Sequence, residues 1–250
     1  MKNLLLLFGT LTLVFTSCSS NDSLTDSNTE TAFKLTKIVH LTPDYSVMYF
    51  TDIKYDGNKI VSSTDNNGYV AKYTYTGELI TKVEEFQSFT VLENIREYTY
   101  LNGKMSIEIQ RMPNETKYLE IKYTHNTDGT IAYDRREINS ASGKIITSSG
   151  KYAYKNGNII KNEIMNKGQV DIVFEYEYDT KKNPLSNILG LNLLLNGPLS
   201  ASLNNMIKMS NASTAQQRTF LYSYYNNDFP SEQKRLGNGG GLEEIIKYTY

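Results

Sequence analysis

Pairs of aromatic residues two positions apart recur along this chain, and they restrict what it can fold into. Tyr-x-Tyr occurs as Tyr73 and Tyr75, Tyr98 and Tyr100, Tyr152 and Tyr154, Tyr176 and Tyr178, Tyr222 and Tyr224, and Tyr248 and Tyr250. Ile53-Lys54-Tyr55 and Tyr123-Thr124-His125 are weaker copies. The third positions lie 20, 25, 25, 29, 24, 46 and 26 residues apart, and 14 of the 20 tyrosines belong to the pattern. A tight-turn signal follows most copies: Asp56-Gly57-Asn58, Thr76-Gly77, Asn102-Gly103, Asp128-Gly129 and Asn156-Gly157. Asn-Gly and Asp-Gly supply the positive φ angles of two-residue hairpin loops. A β-rich segment comes next each time, so each repeat reads as strand, tight turn, strand.

Alternation selects strand over helix. Phe174, Tyr176 and Tyr178 fall on one face and Glu175 and Glu177 on the other. Leu119, Ile121 and Tyr123 oppose Tyr118, Glu120 and Lys122, and Met105, Ile107 and Ile109 are expected to oppose Ser106, Glu108 and Gln110. A period of two with one apolar face marks half-buried antiparallel strands. Eight copies predict an all-β, up-and-down antiparallel meander of roughly 14–16 strands. Such a sheet must hide its edges, so it is expected to curl into a barrel-like or flattened roll.

Closure raises a filling problem. A round barrel of about 14 strands has a radius near 14 Å, roughly twice the reach of a tyrosine. The sequence offers one filler. Between Tyr178 and Tyr222 the repeat is interrupted, and Lys181-Lys182-Asn183-Pro184 replaces the glycine turn. Leu185, Ile188, Leu189, Leu191, Leu193, Leu194 and Leu195 follow, then Asn196-Gly197-Pro198, Leu203, Met206, Ile207 and Met209. We expect a partly helical insertion over about 184–212 that either caps the core or forms the lip of a ligand pocket.

The N-terminus carries a different signal. Lys2 precedes an apolar run over residues 4–15, which has the length of a signal-peptide core and is too short to span a bilayer. Phe15-Thr16-Ser17-Cys18 resembles the lipobox of bacterial lipoproteins, which implies diacylation of Cys18, the one cysteine of the chain. Residues 19–31, SSNDSLTDSNTET, hold one large apolar residue and read as a flexible tether. The expected organisation is a signal peptide at 1–17, a lipidated tether at 18–31 and one repeat domain at 32–250. The tandem Tyr-x-Tyr…Asn/Asp-Gly unit is similar to the YD-type repeats of the RHS family. It is closer to small Bacteroidota-type lipoproteins with tandem copies. That resemblance implies a barrel-like meander and supplies no activity. The expected location is therefore outside the cytoplasm, anchored to the outer membrane by lipid on Cys18.

Little in the chain points to catalysis. Its net charge of −1, or −2 once Lys2 is removed, includes no basic stripe, so nucleic acid is not an expected partner. His40 and His125 lie 85 residues apart, without metal-pair spacing. Asp65-Asn66-Asn67-Gly68 lacks the remaining ligands of a calcium loop and reads as a polar turn. Glu175 and Glu177, about 7 Å apart on one strand face, would suit a surface glycan hydrolase. We assign no catalytic, cofactor or metal residues and no cofactor. The expected function is a non-enzymatic binding or structural module, with a glycan or a peptide as candidate ligand. Tyr98, Tyr100, Tyr152, Tyr154, Tyr176 and Tyr178 are the candidate contacts. A membrane-spanning barrel is the main alternative, because the terminal Tyr248-Thr249-Tyr250 resembles the C-terminal signal of outer-membrane barrels.

Overall fold

A computed structural model of the chain describes residues 33–166, 168–195 and 197–250. The expected signal peptide, Cys18 and the tether lie outside the described residues. Sixteen strands form one closed antiparallel barrel. In chain order they are β1 (Lys37–Leu41), β2 (Val47–Asp56), β3 (Lys59–Asp65), β4 (Val70–Thr76), β5 (Leu79–Gln87), β6 (Val91–Leu101), β7 (Lys104–Arg111) and β8 (Lys117–His125). They continue with β9 (Ile131–Asn139), β10 (Lys144–Lys155), β11 (Asn158–Asn166), β12 (Gln169–Lys182), β13 (Asn204–Asn211), β14 (Gln216–Tyr224), β15 (Pro230–Leu236) and β16 (Leu242–Thr249). Each strand pairs with its neighbours in the chain, and β1 closes the ring on β16 through Ile38↔Tyr248 and its flanking pairs. Closure removes both edges of the meander.

The eight aromatic copies occupy the eight even-numbered strands, at the end where the tight turns lie. Asn102-Gly103 and Asn156-Gly157 form two-residue loops between Leu101↔Lys104 and Lys155↔Asn158, with φ of +51, +74, +52 and +77°. Those are the paired positive angles of a type I′ turn, whose twist matches that of the flanking strands. Just past five of the turns, and just past the insertion, one residue of the odd strand bulges out of register: Val61, Thr81, Ser106, Ile160 and Ser231 after turns, and Ile207 after the insertion.

The bulges change which residues face inward. Simple alternation on β7 puts Met105, Ile107 and Ile109 together and turns Glu108 outward. With Ser106 bulged, Met105 and Glu108 both face the interior and are buried, while Ile107 and Ile109 stand half-buried on the outer wall. An extra residue shifts the phase of everything beyond it by one.

The insertion is corrected in extent and in structure. It covers residues 183–203, and among its described residues the only regular element is the 3-10 turn Leu191–Leu193. Residues 204–211 form β13, a full barrel strand, because Met206 and Met209 continue the inward phase against Tyr178 and Tyr176. The rest plugs the tight-turn end. Ile188, Leu191, Leu194, Leu195 and Ala201 are buried in one cluster with Ile60, Ile80, Met105, Ile159 and the ring of tyrosines. Backbone bonds sew the plug to the hairpin tips: Leu189 N–H donates to Asn58 O at 3.4 Å, and Leu203 N–H to Gly157 O at 3.3 Å. Ser202 Oγ accepts from Ile159 N–H at 3.2 Å. Each buried leucine or isoleucine contributes about 1.5–3 kcal/mol.

Elsewhere the wall fills the interior by close approach. Gly150 on β10 lies under the Tyr133 ring of β9; a Cβ there would sit 2.1 Å from Tyr133 Cζ and 2.5 Å from Glu163 O. The phenol crosses the glycine to donate to Asn162 Oδ1 on β11 at 3.1 Å. A side chain at 150 would push that ring back into the lumen.

The outer wall carries ion pairs on most of its strands, beside apolar side chains such as Ile107, Ile109 and Leu221. Ion pairs join neighbouring strands or positions at Lys37–Asp52, Lys82–Glu84, Arg111–Glu97, Arg136–Glu120, Lys151–Glu163, Lys208–Glu177 and Lys234–Glu232. Leu194 is 2% exposed at the centre of the plug. Truncating it (Leu194→Ala) is expected to cost about 2–5 kcal/mol of unfolding free energy in urea titrations. A change below 0.5 kcal/mol would mean that the plug does not bear on the barrel.

Candidate functional site

The tyrosines marked out by the repeat serve the wall itself. Within each hairpin the ladder runs to the turn. Between hairpins β3–β4, β5–β6, β7–β8 and β11–β12 it stops three residues short, at Ser62↔Lys72, Lys82↔Glu97, Ile107↔Lys122 and Lys161↔Glu175. The hairpin tips therefore splay, and backbone groups in the gap lack ladder partners. Phenol hydroxyls fill those places. Tyr55 donates to Leu35 O at 2.8 Å, Tyr100 to Ile80 O at 2.7 Å, Tyr178 to Ile159 O at 2.7 Å and Tyr222 to Met206 O at 2.9 Å. Tyr75 accepts from Ile60 N–H at 3.2 Å and donates to Leu189 O of the plug at 3.0 Å. His125 makes the same tie, Nε2 to Met105 O at 2.8 Å, which explains an imidazole in a tyrosine position. The hairpin β8–β9 carries no bulge, and after it the β9–β10 ladder continues to Ile131↔Tyr152. Bulge and splay thus go together.

Of the six candidate contacts, Tyr98 and Tyr176 are buried and Tyr100, Tyr152, Tyr154 and Tyr178 are partly buried, all in the cluster that meets the plug. Burial pushes the Tyr100 and Tyr176 phenols up to about 12, and it raises those of Tyr152, Tyr154 and Tyr178 further. None of the six lines the cavity that the interior contains.

That cavity, about 430 Å³, lies between the plug and the opposite end of the barrel, against strands β13–β16 and β1–β2. Its floor is Asn183, Pro184, Leu185 and Leu199 of the insertion, and Ile38, Met206, Met209, Phe220 and Ile246 form its walls. Towards the other end of the same strands lie His40, Tyr49, Arg218, Arg235 and Glu244. Glu244, with a side chain 7% exposed, accepts from His40 Nδ1 at 2.6 Å on one oxygen and pairs with Arg235 Nη1 at 2.6 Å on the other. His40 stacks on Tyr49 at 4.1 Å. Arg235 Nε also reaches Glu243 at 3.2 Å, whereas Arg218, 49% exposed, meets Glu243 only at 3.6 Å. Gln233 Oε1 accepts from the Tyr248 hydroxyl at 2.6 Å. The site is mainly apolar at its base and charged at its mouth.

Repeat-based reading missed His40, Arg218, Arg235 and Glu244 as a group. A signal was present: Arg218 is in phase with Phe220 and Tyr222, and Glu244 with Ile246 and Tyr248. A charge on the apolar face of an alternating strand has to find an interior partner. The same signal marks Arg96, in phase with Tyr98. It lies in a second interior network in which Glu85 accepts from Tyr69 at 2.7 Å and Asn94 at 2.5 Å and pairs with Arg96 at 3.4 Å. Beside it, burial raises Glu108, whose carboxylate accepts from Tyr123 at 3.2 Å.

The other sequence candidates sit elsewhere. Glu175 and Glu177 stand on the exposed outer wall of β12, and Glu177 is paired with Lys208 at 3.0 Å. Asp65 Oδ1 accepts from the N–H groups of Asn67 at 2.9 Å and Tyr69 at 2.8 Å, which makes residues 65–69 a polar turn.

No protein-family model matches the sequence, and no curated protein matches it. Among solved structures, a porin-like protein from Bacteroides vulgatus superposes with a TM-score of 0.59 at 15% identity, over 87% of this chain and 98% of that one. A porin-like protein from Bacteroides uniformis gives 0.49 at 12% identity, over 86% and 96%. The first likeness places the chain in the same fold.

Two outcomes test the tyrosine ring. Tyr100→Phe leaves the Ile80 carbonyl in the gap without its donor and is expected to cost about 1–2 kcal/mol. Tyr118→Phe on the outer wall is expected to change stability by less than 0.5 kcal/mol in the same urea titrations. The folded phenols titrate above the ordinary value of 10, so their contribution is complete below pH 10. It is lost as pH rises from about 10 through 12 and beyond. Tyrosinate absorbance near 295 nm is expected to lag and then appear together with loss of the β-sheet circular dichroism. Full ionisation near pH 10 with the sheet intact would show that the rings are accessible.

Proposed function

We propose that the protein is a non-enzymatic lipoprotein, held at the outer membrane by acylated Cys18, whose barrel stands in water and serves as a binding module. The observation that carries this reading is the distribution of charge. Ion pairs encircle the outer wall, while the interior is closed at one end by a plug and holds a cavity towards the other. A lipid-facing wall needs an apolar band about 25 Å tall, and each lysine or arginine at its midplane costs about 2–4 kcal/mol. A lipid anchor serves a barrel with a wet exterior and is superfluous for one that spans the bilayer. The chain enters the barrel beside the plug, where Phe33 stacks on Tyr250 at 4.4 Å.

In this reading the protein is of the tandem-repeat, small-lipoprotein type that its hairpins resemble. A ligand, whether glycan, peptide or another class, enters the cavity, since the six candidate tyrosines are packed in the plug cluster and Tyr100 and Tyr178 are tied to backbone carbonyls. A hydrolase reading finds no support in Glu175 and Glu177, which lie on a convex, ion-paired wall. The likeness to the porin-like protein from Bacteroides vulgatus favours a second reading, a membrane-spanning barrel, against which the wall chemistry stands.

Fractionation separates the two. The wild-type chain is expected in the membrane fraction and labelled by radioactive palmitate. The Cys18→Ser chain is expected to be unlabelled and released by carbonate. Retention of the Cys18→Ser barrel in membranes after carbonate extraction would establish the spanning barrel and overturn the anchored one.

A further inference from the structure

We propose that the cavity over the plug is a binding site for a slender amphiphile with a single anionic head, of the alkyl carboxylate class; this rests on the binding-module reading above. The base of the cavity sets the body of the ligand. Ile38, Leu185, Met206, Met209, Phe220 and Ile246 line it, and two unbranched thioethers let the walls adapt to a flexible chain. A volume of about 430 Å³ is in the range of small-molecule sites. A sugar chain would bury hydroxyls against these walls, each unpaired group costing about 1–3 kcal/mol. The six candidate tyrosines of the repeat are packed in the plug cluster, and Tyr49 at the mouth is already stacked on His40.

The mouth sets the head. Besides the phenols of Tyr49, Tyr222 and Tyr248, the titratable side chains that line the cavity are His40, Arg218, Arg235 and Glu244. Glu244 has both oxygens engaged, one by His40 and one by Arg235, so its charge is spent locally. Arg235 is held by Glu244 and Glu243. Arg218 is the least engaged, with its 3.6 Å contact to Glu243 and half its side chain in solvent. A planar guanidinium with free donors at the rim of an apolar cleft fits a carboxylate, by a two-point charge-assisted contact. A cationic head would have to displace Arg235 or His40 from Glu244.

A second observation points to a guest. Asn205 lines the cavity near its base and is 2% exposed. Its Nδ2 donates to the Asp179 carboxylate at 3.2 Å, while its Oδ1 has no hydrogen-bond partner. Buried amide oxygens are ordinarily satisfied, so this acceptor is available to a donor carried by the ligand. Met209 pairs with Arg218, and Asn205 lies four residues before Met209 across the bulge at Ile207, so the two polar points are about 10 Å apart along the strand. A chain with a carboxylate at one end and a hydroxyl at the other would meet both.

The test is calorimetric titration of the purified full chain with dodecanoate, 12-hydroxydodecanoate, dodecanol and dodecyltrimethylammonium, each below its micelle-forming concentration. We expect one dodecanoate per chain and about tenfold weaker binding of dodecyltrimethylammonium. Arg218→Gln is expected to lose about tenfold for dodecanoate and little for dodecanol. 12-Hydroxydodecanoate is expected to bind more tightly than dodecanoate, and that advantage to vanish in Asn205→Leu. Met209→Trp fills the cavity and is expected to abolish binding of all four; if it does not fold, Leu199→Trp at the floor provides the same block. One-to-one binding of dodecanol, dodecanoate and the cationic probe with equal affinity, lost on blocking the cavity, would overturn the anionic head and keep the binding module. Absence of saturable binding by every probe would overturn the site itself, whatever the fractionation of Cys18→Ser shows. Binding unaffected by both blocking variants would show adsorption outside the cavity and overturn it as well.

Discussion

A sixteen-strand barrel encloses more space than the side chains of its own wall can fill, and the rest of this structure answers that constraint. One answer is the plug, which places Ile188, Leu191, Leu194 and Leu195 in the lumen at the tight-turn end. The other is a ring of long aromatic side chains, supplied by every even strand, reaching in to meet it. The bulges beside the turns bend and twist the strands as closure requires, and they leave the hairpin tips splayed. Splaying would strand carbonyls at the rim of the core. A tyrosine, or His125 in the fourth copy, is long enough to pack its ring on the plug and still place a hydrogen-bond donor in the gap.

The barrel is consequently asymmetric along its axis. Near the plug the interior is largely apolar, and several tyrosine hydroxyls there are tied to backbone carbonyls. Farther along, the inward positions carry Arg96, Glu85 and Glu108 on one side and His40, Arg235, Glu244 and Arg218 on the other. On the first side the groups largely satisfy one another and Glu108 is held in a low-dielectric setting. On the second, the plug does not reach the wall, and an apolar-floored space remains beneath a charged mouth. Closing one end and leaving polar groups at the other converts a structural filler into the floor of a site.

Much of the fold was legible because strand phase and turn chemistry are local. The six Tyr-x-Tyr copies and the two weaker ones fell on eight alternate strands, and the Asn-Gly pairs took the angles their turns demand. The errors have a common origin. Glu108 was expected outside because alternation assumes an unbroken period, and the bulge at Ser106 breaks it. Residues 204–211 were expected inside the insertion because Met206 and Met209 read as continued apolar run, whereas pairing with β12 makes them a strand. The cavity residues were not gathered in advance because His40 and Glu244 are 204 positions apart and meet only through closure of β1 on β16.

The chain alone determined the strands, the hairpins and the inward direction of the tyrosines, since each depends on neighbours within about 25 residues and on the two-residue pleat. It also announced that something apolar had to be buried between Tyr178 and Tyr222. Tertiary structure decided that the sheet closes, where the plug sits and which charges share a mouth. Those outcomes depend on contacts between opposite ends of the chain and on the volume left over once a ring of fixed circumference has formed.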